Sequence, residues 1–187
     1  MTESELLNKI KSNRAVFSEL FKLYYKSIFG YVLRRTGDFD DTADITSETF
    51  FKALKNIHNF TYTGISVKVW LYRIATNEVN LFYRQKKRYN SIIERLKPED
   101  KELFSKYLHE DRKEYENELQ KNDQFLMVLK ELKLLPVRYQ EVISLKYFEG
   151  KDNKEIADIM NIKEGTLKSL LSRGLEKLRK SATKFNF

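Results

Sequence analysis

Residues 153–174 read NKEIADIMNIKEGTLKSLLSRG, and this stretch indicates two helices joined by a tight turn. Apolar residues recur at three- and four-residue spacing on both sides of Asn161, which tolerates the left-handed backbone of such a turn. We predict a helix-turn-helix with helices at residues 153–160 and 165–180. Its second helix is expected to enter a DNA major groove with these polar side chains exposed: Thr166, Lys168, Ser169, Ser172, Arg173 and Lys177.

The rest of the chain is also predicted to be helical, because only six Gly and two Pro occur in 187 residues. An apolar stripe from Phe17 predicts a helix that ends near Gly37. Asp40 or Asp41 is expected to cap the next helix, and Val67 begins the stripe of a third. After Pro136, which can start a helix, residues 137–148 form another.

Charge divides the chain into two basic parts and an acidic connector. Residues 1–89 hold 15 Lys/Arg and 9 Asp/Glu, residues 90–123 hold 7 and 10, and residues 124–187 hold 13 and 8. We therefore predict an all-α protein with two small helical domains, residues 1–89 and 124–187, and a partly helical linker at residues 90–123. Two basic surfaces favour a polyanionic partner.

Composition excludes several classes of protein. The chain contains no cysteine, so disulfides and thiolate chemistry are excluded. Its two histidines lie in charged surroundings, which predicts solvated side chains and neither a metal site nor a cofactor. The N-terminus lacks the apolar core of a signal peptide, and no apolar run approaches the ~20 residues that cross a bilayer. These features predict a cytoplasmic protein without membrane insertion.

The predicted third helix carries a line of polar side chains opposite its apolar stripe. Amide and guanidinium groups in such a line suit phosphates and exposed base edges. Aromatic and hydroxyl side chains in the loop just before it could stack on and hydrogen-bond unpaired bases, although a core position for the aromatics stays open. The candidate residues for this surface are Thr61, Tyr62, Thr63, Gly64, Ser66, Trp70, Arg73, Asn77, Asn80, Arg84, Lys86, Lys87 and Arg88.

The preceding helix carries carboxylates at three- and four-residue spacing. Capping and the helix dipole explain Asp41 and Asp44, but not Glu48 or Phe51 further along. Nothing in the sequence desolvates this group, and no nucleophile or phosphate-binding glycine loop accompanies it, so we do not expect an enzyme. We predict a protein-binding face.

Three stretches in order resemble one known family. Residues 40–54, DDTADITSETFFKAL, resemble the polymerase-clamp-binding helix of sigma-70-type factors of the extracytoplasmic-function group. Residues 69–88, VWLYRIATNEVNLFYRQKKR, resemble the promoter-melting helix of these factors. Residues 134–180 resemble their C-terminal DNA-binding domain, so that the likeness covers nearly the full chain.

The resemblance implies an alternative sigma factor, with a region-2-type and a region-4-type domain, that directs promoter recognition, melting and initiation. Core RNA polymerase would be bound at its beta-prime clamp helices and beta flap, with the clamp contacts made by Asp41, Asp44, Ile45, Ser47, Glu48 and Phe51. The third helix and its loop would open the minus-ten element and hold a flipped base, and the helix-turn-helix would bind the minus-thirty-five element. An anti-sigma factor or a DNA-bound recruiting protein is a further implied partner.

Several positions depart from the family pattern. Ser47 replaces a common glutamine, Leu81 replaces a common acidic residue, and Leu170 and Leu175 replace common cations. Because each missing cation removes a potential phosphate contact, we expect weakened binding upstream and a role for a recruiting protein.

Two other classes of protein remain open at this point. A stand-alone helix-turn-helix regulator would act without polymerase and would leave the stripe from Asp44 to Phe51 unexplained. A helical adaptor that never contacts DNA would leave the two basic domains unexplained. Run-off transcription with core polymerase separates all three, because only a sigma factor confers specific initiation.

Overall fold

The protein is all-α in the part of the chain that the computed structural model describes, residues 2–61, 65–84 and 123–182. Four helices form the first domain: α1 (Glu3–Ser12), α2 (Phe17–Thr36), α3 (Phe39–Asn56) and α4 (Val67–Arg84). Four more form the second: α5 (Asp123–Leu134), α6 (Val137–Ile143), α7 (Asn153–Met160) and α8 (Glu164–Ala182). The predicted linker, apart from Asp123 at the start of α5, lies outside the described residues.

The ends of the helices follow from local chemistry. Gly37 adopts a left-handed backbone (φ 63°) and its amide donates to the Leu33 carbonyl, so that α2 ends where the sequence predicted. The prediction for the cap of α3 was wrong. Asp38, not Asp40 or Asp41, adopts the extended backbone of a capping residue, and its carboxylate accepts from the Asp41 amide at 2.9 Å.

Helix α1 was not predicted from the sequence. A reciprocal capping box starts this helix, in which the Thr2 hydroxyl and the Glu5 carboxylate accept from each other's backbone amides. Leu6, Leu7 and Ile10 are buried against the first domain. The Glu3 carboxylate also accepts from the Val67 amide at 2.9 Å, so that α1 supplies a polar partner at the start of α4.

Aromatic and β-branched side chains fill the core of the first domain. Helix α3 packs against both α2 and α4. The Phe21 ring lies 4.7 Å from the Phe50 ring and 5.0 Å from the Tyr25 ring, centroid to centroid, and all three are fully buried. Ile45, Thr49 and Ala53 form the buried stripe of α3 that the sequence predicted. This core holds α4 by its apolar side, so the opposite, polar side of α4 lies outside the core of the first domain.

The second domain contains the predicted helix-turn-helix. Pro136 precedes α6, and the helix continues as a π-helical turn over Ser144–Phe148, as expected for residues 137–148. Asn161 takes the left-handed conformation (φ 53°) between α7 and α8. The Ile162 amide donates to the Ala157 carbonyl at 3.0 Å, which closes the turn and sets the direction of α8.

Candidate nucleic-acid interface and polymerase-binding face

The predicted polar line on α4 is present, but its four members differ in exposure. Asn77 and Arg84 are exposed, whereas Arg73 and Asn80 are partly buried. The Arg84 guanidinium donates from Nε to the Asn80 carbonyl at 3.2 Å and so lies back along its own helix. Lys86, Lys87 and Arg88, which would extend this line, lie outside the described residues.

The loop before α4 has a structural part and an exposed part. The Ser66 hydroxyl accepts from the Val69 amide at 3.2 Å, so it satisfies a free donor at the start of α4. The Trp70 ring packs on Phe60 with centroids 4.8 Å apart, and both are partly buried. Thr61 is exposed, while Tyr62, Thr63 and Gly64 lie outside the described residues. Trp70 and Ser66 therefore help to shape the loop.

The second domain lies against the partly buried end of this line. Helix α7 packs on α4. The Arg73 guanidinium donates from Nε to the carbonyl of Asp158 at 3.1 Å, and Asn80 lies near Glu141 of the second domain. A cavity of about 430 Å³ opens beside them, and its lining includes Asn77 and Arg138. Three of the four side chains of the polar line, Arg73, Asn77 and Asn80, therefore face the second domain.

A buried carboxylate of the second domain binds two side chains of the first domain. Glu149 accepts from Arg34 Nε at 2.9 Å and from the Tyr72 hydroxyl at 2.7 Å, and its side chain is only 6% exposed. Lys151 Nζ lies 4.8 Å from the centroid of the Tyr72 ring. Burial, and then the Glu149 carboxylate, raise the pKa of Tyr72, so the phenol stays protonated and donates.

No interaction was predicted from the sequence for Arg34, Tyr72, Glu149 or Lys151. The available signal in the sequence was two adjacent cations, Arg34 and Arg35, near the end of an apolar helix. Gly30 makes room for this arrangement, because a Cβ there would stand 3.1 Å from Nη2 of Arg34. The partners of Arg34 lie in the other domain, so periodicity along the chain could not point to them.

The polar face of α8 is open to solvent along its length. All six side chains that the sequence predicted for the major groove are exposed: Thr166, Lys168, Ser169, Ser172, Arg173 and Lys177. Leu167, in contrast, is fully buried against the domain core. Leu170 and Leu175 are partly buried and pack against that core, so these leucines have a packing role where the family commonly has cations.

The predicted polymerase-binding residues on α3 divide into an accessible group and a buried group. Asp41, Asp44, Glu48 and Phe51 are partly exposed. Ile45 is fully buried and Ser47 is 1% exposed, so these two of the six predicted clamp contacts lie in the core and the other four side chains are the accessible ones. Residues three or four positions apart lie on adjacent stripes of a helix surface. In α3 only one of these stripes is accessible to solvent.

Electrostatics distinguish two of the accessible carboxylates. Partial burial, with smaller contributions from Asp41 and Asp40, raises the pKa of Asp44 to about 6. Glu48 lies 3.3 Å from Lys52 Nζ, and the same ammonium group lies 2.7 Å from the buried Glu78 carboxylate. Asp44 is therefore poised to gain from a cationic partner, whereas Glu48 already has one.

Within the part of the chain that the structure covers, no helix is long and apolar enough to cross a membrane. Family models for sigma-70 region 2 and sigma-70 region 4 match residues 20–89 and 125–178, respectively. These matches coincide with the two domains of the structure. They also place α4 in the first model and α7 with most of α8 in the second.

Curated proteins and solved structures give the same result over nearly the whole chain. The chain is 32% identical over 179 residues to the ECF RNA polymerase sigma factor SigW of Bacillus subtilis, covering 91% of this chain and 90% of that protein. It is 26% identical over 175 residues to SigM of the same organism, covering 86% and 91%. The fold resembles that of CnrH, solved in complex with the cytosolic domain of CnrY, with a TM-score of 0.68, 17% identity and 99% coverage of both chains. The chain belongs to the sigma-70 family of transcription initiation factors and is an alternative sigma factor of its extracytoplasmic-function group.

Proposed function

We propose that this sigma factor binds core RNA polymerase through the accessible carboxylate face of α3, opens the minus-ten element with α4 and its loop, and contacts upstream DNA with α8. The observation that carries the proposal is the set of six hydroxyl and cationic side chains on α8, all of which are exposed to solvent. Because polymerase works on the chromosome, we propose that the chain acts in the cytoplasm.

The three surfaces suit three different chemistries. Cations and hydroxyls on α8 match phosphates and base edges of duplex DNA. Amide and guanidinium groups on α4, next to an aromatic pair, match unstacked bases, whose extrusion from the duplex costs a few kcal/mol. Carboxylates beside the partly exposed Phe51 ring match a basic protein surface with an apolar pocket.

Run-off transcription with purified core polymerase tests the whole proposal. The unmodified chain is expected to confer specific initiation on promoter DNA, which a stand-alone regulator cannot do. Asp44→Lys combined with Glu48→Lys should abolish co-purification with core enzyme, because it reverses the charge of the proposed face. Glu19→Lys, an exposed carboxylate on α2, is the matched control and should retain binding. Retained binding by the double variant would rule out this face.

The role of α4 is tested separately. Asn77→Ala with Arg84→Ala should reduce initiation on duplex promoters more than on templates already melted at the minus-ten element, because the two exposed side chains serve opening. Lys130→Ala, an exposed cation on α5, is the control for loss of charge. Equal loss on both templates would contradict a melting role.

Upstream recognition is tested by the same assay. Weakened DNA reading by α8 and dependence on a DNA-bound recruiting protein stay predictions. Leu170 and Leu175, which motivate them, are partly buried and pack on the domain core. Leu170→Arg and Leu175→Arg each add a cation but remove an apolar side chain that packs on the domain core. Each variant is expected to gain DNA affinity only if this loss of packing is small. An unmodified holoenzyme that alone selects a defined upstream sequence tightly would contradict the prediction.

A further inference from the structure

Helix α1 holds the chain at both ends of the loop that precedes α4. The Lys11 ammonium group, in the last turn of α1, donates to the Phe60 carbonyl at 2.9 Å, where the chain enters the loop. The Glu3 carboxylate, in the first turn, accepts from the Val67 amide at 2.9 Å, where the chain leaves the loop. We call these four residues the loop brace. About 12 Å of α-helix separates its two charged members, so α1 sets the spacing of the loop ends.

Helix α1 is itself fixed to the first domain. Leu6, Leu7 and Ile10 are buried in the core. The Glu3 carboxylate also accepts from the Tyr24 hydroxyl of α2 at 3.2 Å. Burial, and then the Glu3 carboxylate, raise the pKa of Tyr24 to about 12, so the phenol stays protonated and donates. The two charged side chains of the brace therefore start from a rigid support.

The brace also sets the position of an aromatic pair beside α4. The Phe60 amide donates to the carbonyl of the fully buried Ile57 at 3.2 Å, and its carbonyl accepts from Lys11, so that its backbone is held on both sides. Its ring packs on Trp70 in the first turn of α4. Holding Phe60 and Val67 therefore fixes this ring pair relative to α4.

A loop that is positioned before DNA arrives binds unpaired bases at a lower cost in conformational entropy. Extrusion of a base from the duplex already costs a few kcal/mol, so less free energy is left for ordering the protein. The brace uses charged partners for backbone groups, and such hydrogen bonds are stronger than those between neutral groups. The match to the sigma-70 region 2 model begins at residue 20 and does not include α1.

We propose that α1 is a positioning element for the minus-ten surface, in which Glu3 and Lys11 hold the two loop ends and thereby set how the ring pair meets unpaired bases. This inference rests on the proposed role of α4 and its loop. Glu3 and Lys11 act through Phe60 and Val67, so they are positioning residues and not DNA contacts.

The fluorescence of Trp70 tests the brace in the full chain, because the sequence contains a single tryptophan. Lys11→Met removes the donor to Phe60 but keeps a long unbranched side chain, and Glu3→Ala removes the acceptor for Val67. Each variant should increase the quenching of Trp70 by acrylamide. Lys9→Met, which removes an exposed cation from the same helix, should leave quenching unchanged. Lys11→Met tests the brace independently if Glu3→Ala destabilises α1.

Conservative variants separate the brace from a general effect on packing. Lys11→Arg keeps a donor, and Glu3→Gln keeps an acceptor. Both should retain the quenching of the parent chain, whereas a merely bulky or apolar requirement would not distinguish Glu3→Gln from a loss of charge.

Binding of unpaired DNA tests the consequence for function. The probe is a short fluorescent oligonucleotide that carries the minus-ten non-template strand of a promoter used in the run-off assay, and the protein is the holoenzyme with purified core. Lys11→Met should bind it about fivefold more weakly than Lys9→Met, as expected for the loss of one hydrogen bond. Glu3→Ala should also weaken binding, although removal of a carboxylate would strengthen it if charge alone mattered.

The outcomes distinguish the inference from the function on which it rests. Unchanged quenching in both Lys11→Met and Glu3→Ala would overturn the brace itself. Increased quenching with binding equal to that of Lys9→Met, or tighter binding by Glu3→Ala, would overturn its positioning role. A failure of run-off transcription by the unmodified chain would instead overturn the proposed function, and the fluorescence of Trp70 would still decide whether the brace exists.

Discussion

Single residues in this protein show that the position of a charged side chain in the fold decides its pKa and its hydrogen-bond partners. Asp44 lies partly buried near two other aspartates, and its pKa is raised to about 6, chiefly by burial. Arg35 is 1% exposed, with Nη1 donating to the Tyr31 hydroxyl at 3.2 Å, while Nε and Nη2 have no hydrogen-bond partner among the residues that the structure describes. The sequence marks all of these residues simply as charged. Only their surroundings separate a docking carboxylate from a buried cation.

The raised pKa of Asp44 predicts a pH-dependent stability effect. Because the pKa of its carboxyl is about 6 in the folded chain and ordinarily 3.8, folding is favoured by the neutral form, and this contribution is lost as pH rises through about 6. Asp44→Asn should therefore stabilise the chain above about pH 7, by about 1 kcal/mol after allowance for solvent screening. The gain should vanish below about pH 3, where Asp44 is neutral in both the folded and the unfolded chain.

Urea unfolding of both chains across this pH range measures the difference. Glu19→Gln, at an exposed position on α2, is the control. A gain for Asp44→Asn that is the same at both ends of the range would show that burial does not govern this carboxyl.

At the scale of the helices, local chemistry accounts for most boundaries. Gly37 and Asn161 stop α2 and α7 with left-handed residues, and both ends follow from the sequence. The start of α3 did not follow, because several aspartates in a row could each have capped it. Helix α1 was overlooked, although its Thr2–Glu5 capping box is a recognised signal in the sequence.

The turn of the helix-turn-helix predicts a clear difference between two substitutions. Asn161→Val should destabilise the second domain by about 1–2 kcal/mol, because a β-branched side chain is strained at positive φ. Asn161→Gly should be nearly neutral, since glycine adopts this backbone freely. Thermal unfolding followed by circular dichroism measures both. Equal stability of the two variants would contradict the left-handed turn at φ 53°.

At the scale of the whole molecule, contact with the first domain should stabilise the second domain. Small helical domains bury little apolar surface, so packing α7 against α4 adds to a modest core. Glu149→Lys should therefore speed amide hydrogen exchange in α7 more than in α3, which packs mainly on α2 and α4. With Glu176→Lys, an exposed substitution on α8 with the same change in charge, exchange in both helices should match the parent chain. Equal acceleration in α3 and α7 would indicate general destabilisation instead of loss of the contact between the domains.

The amino-acid sequence alone determined the helical class, the main helices, the two domains and the candidate faces of α3, α4 and α8. Hydrophobic periodicity and capping act over a few residues, so they can be read directly along the chain. Tertiary structure decided which candidates are accessible: it buried Ile45 and Ser47, and it joined Arg34 to Glu149 across 115 positions. Such pairs depend on how finished helices pack, and no local pattern records which polar groups will then face each other.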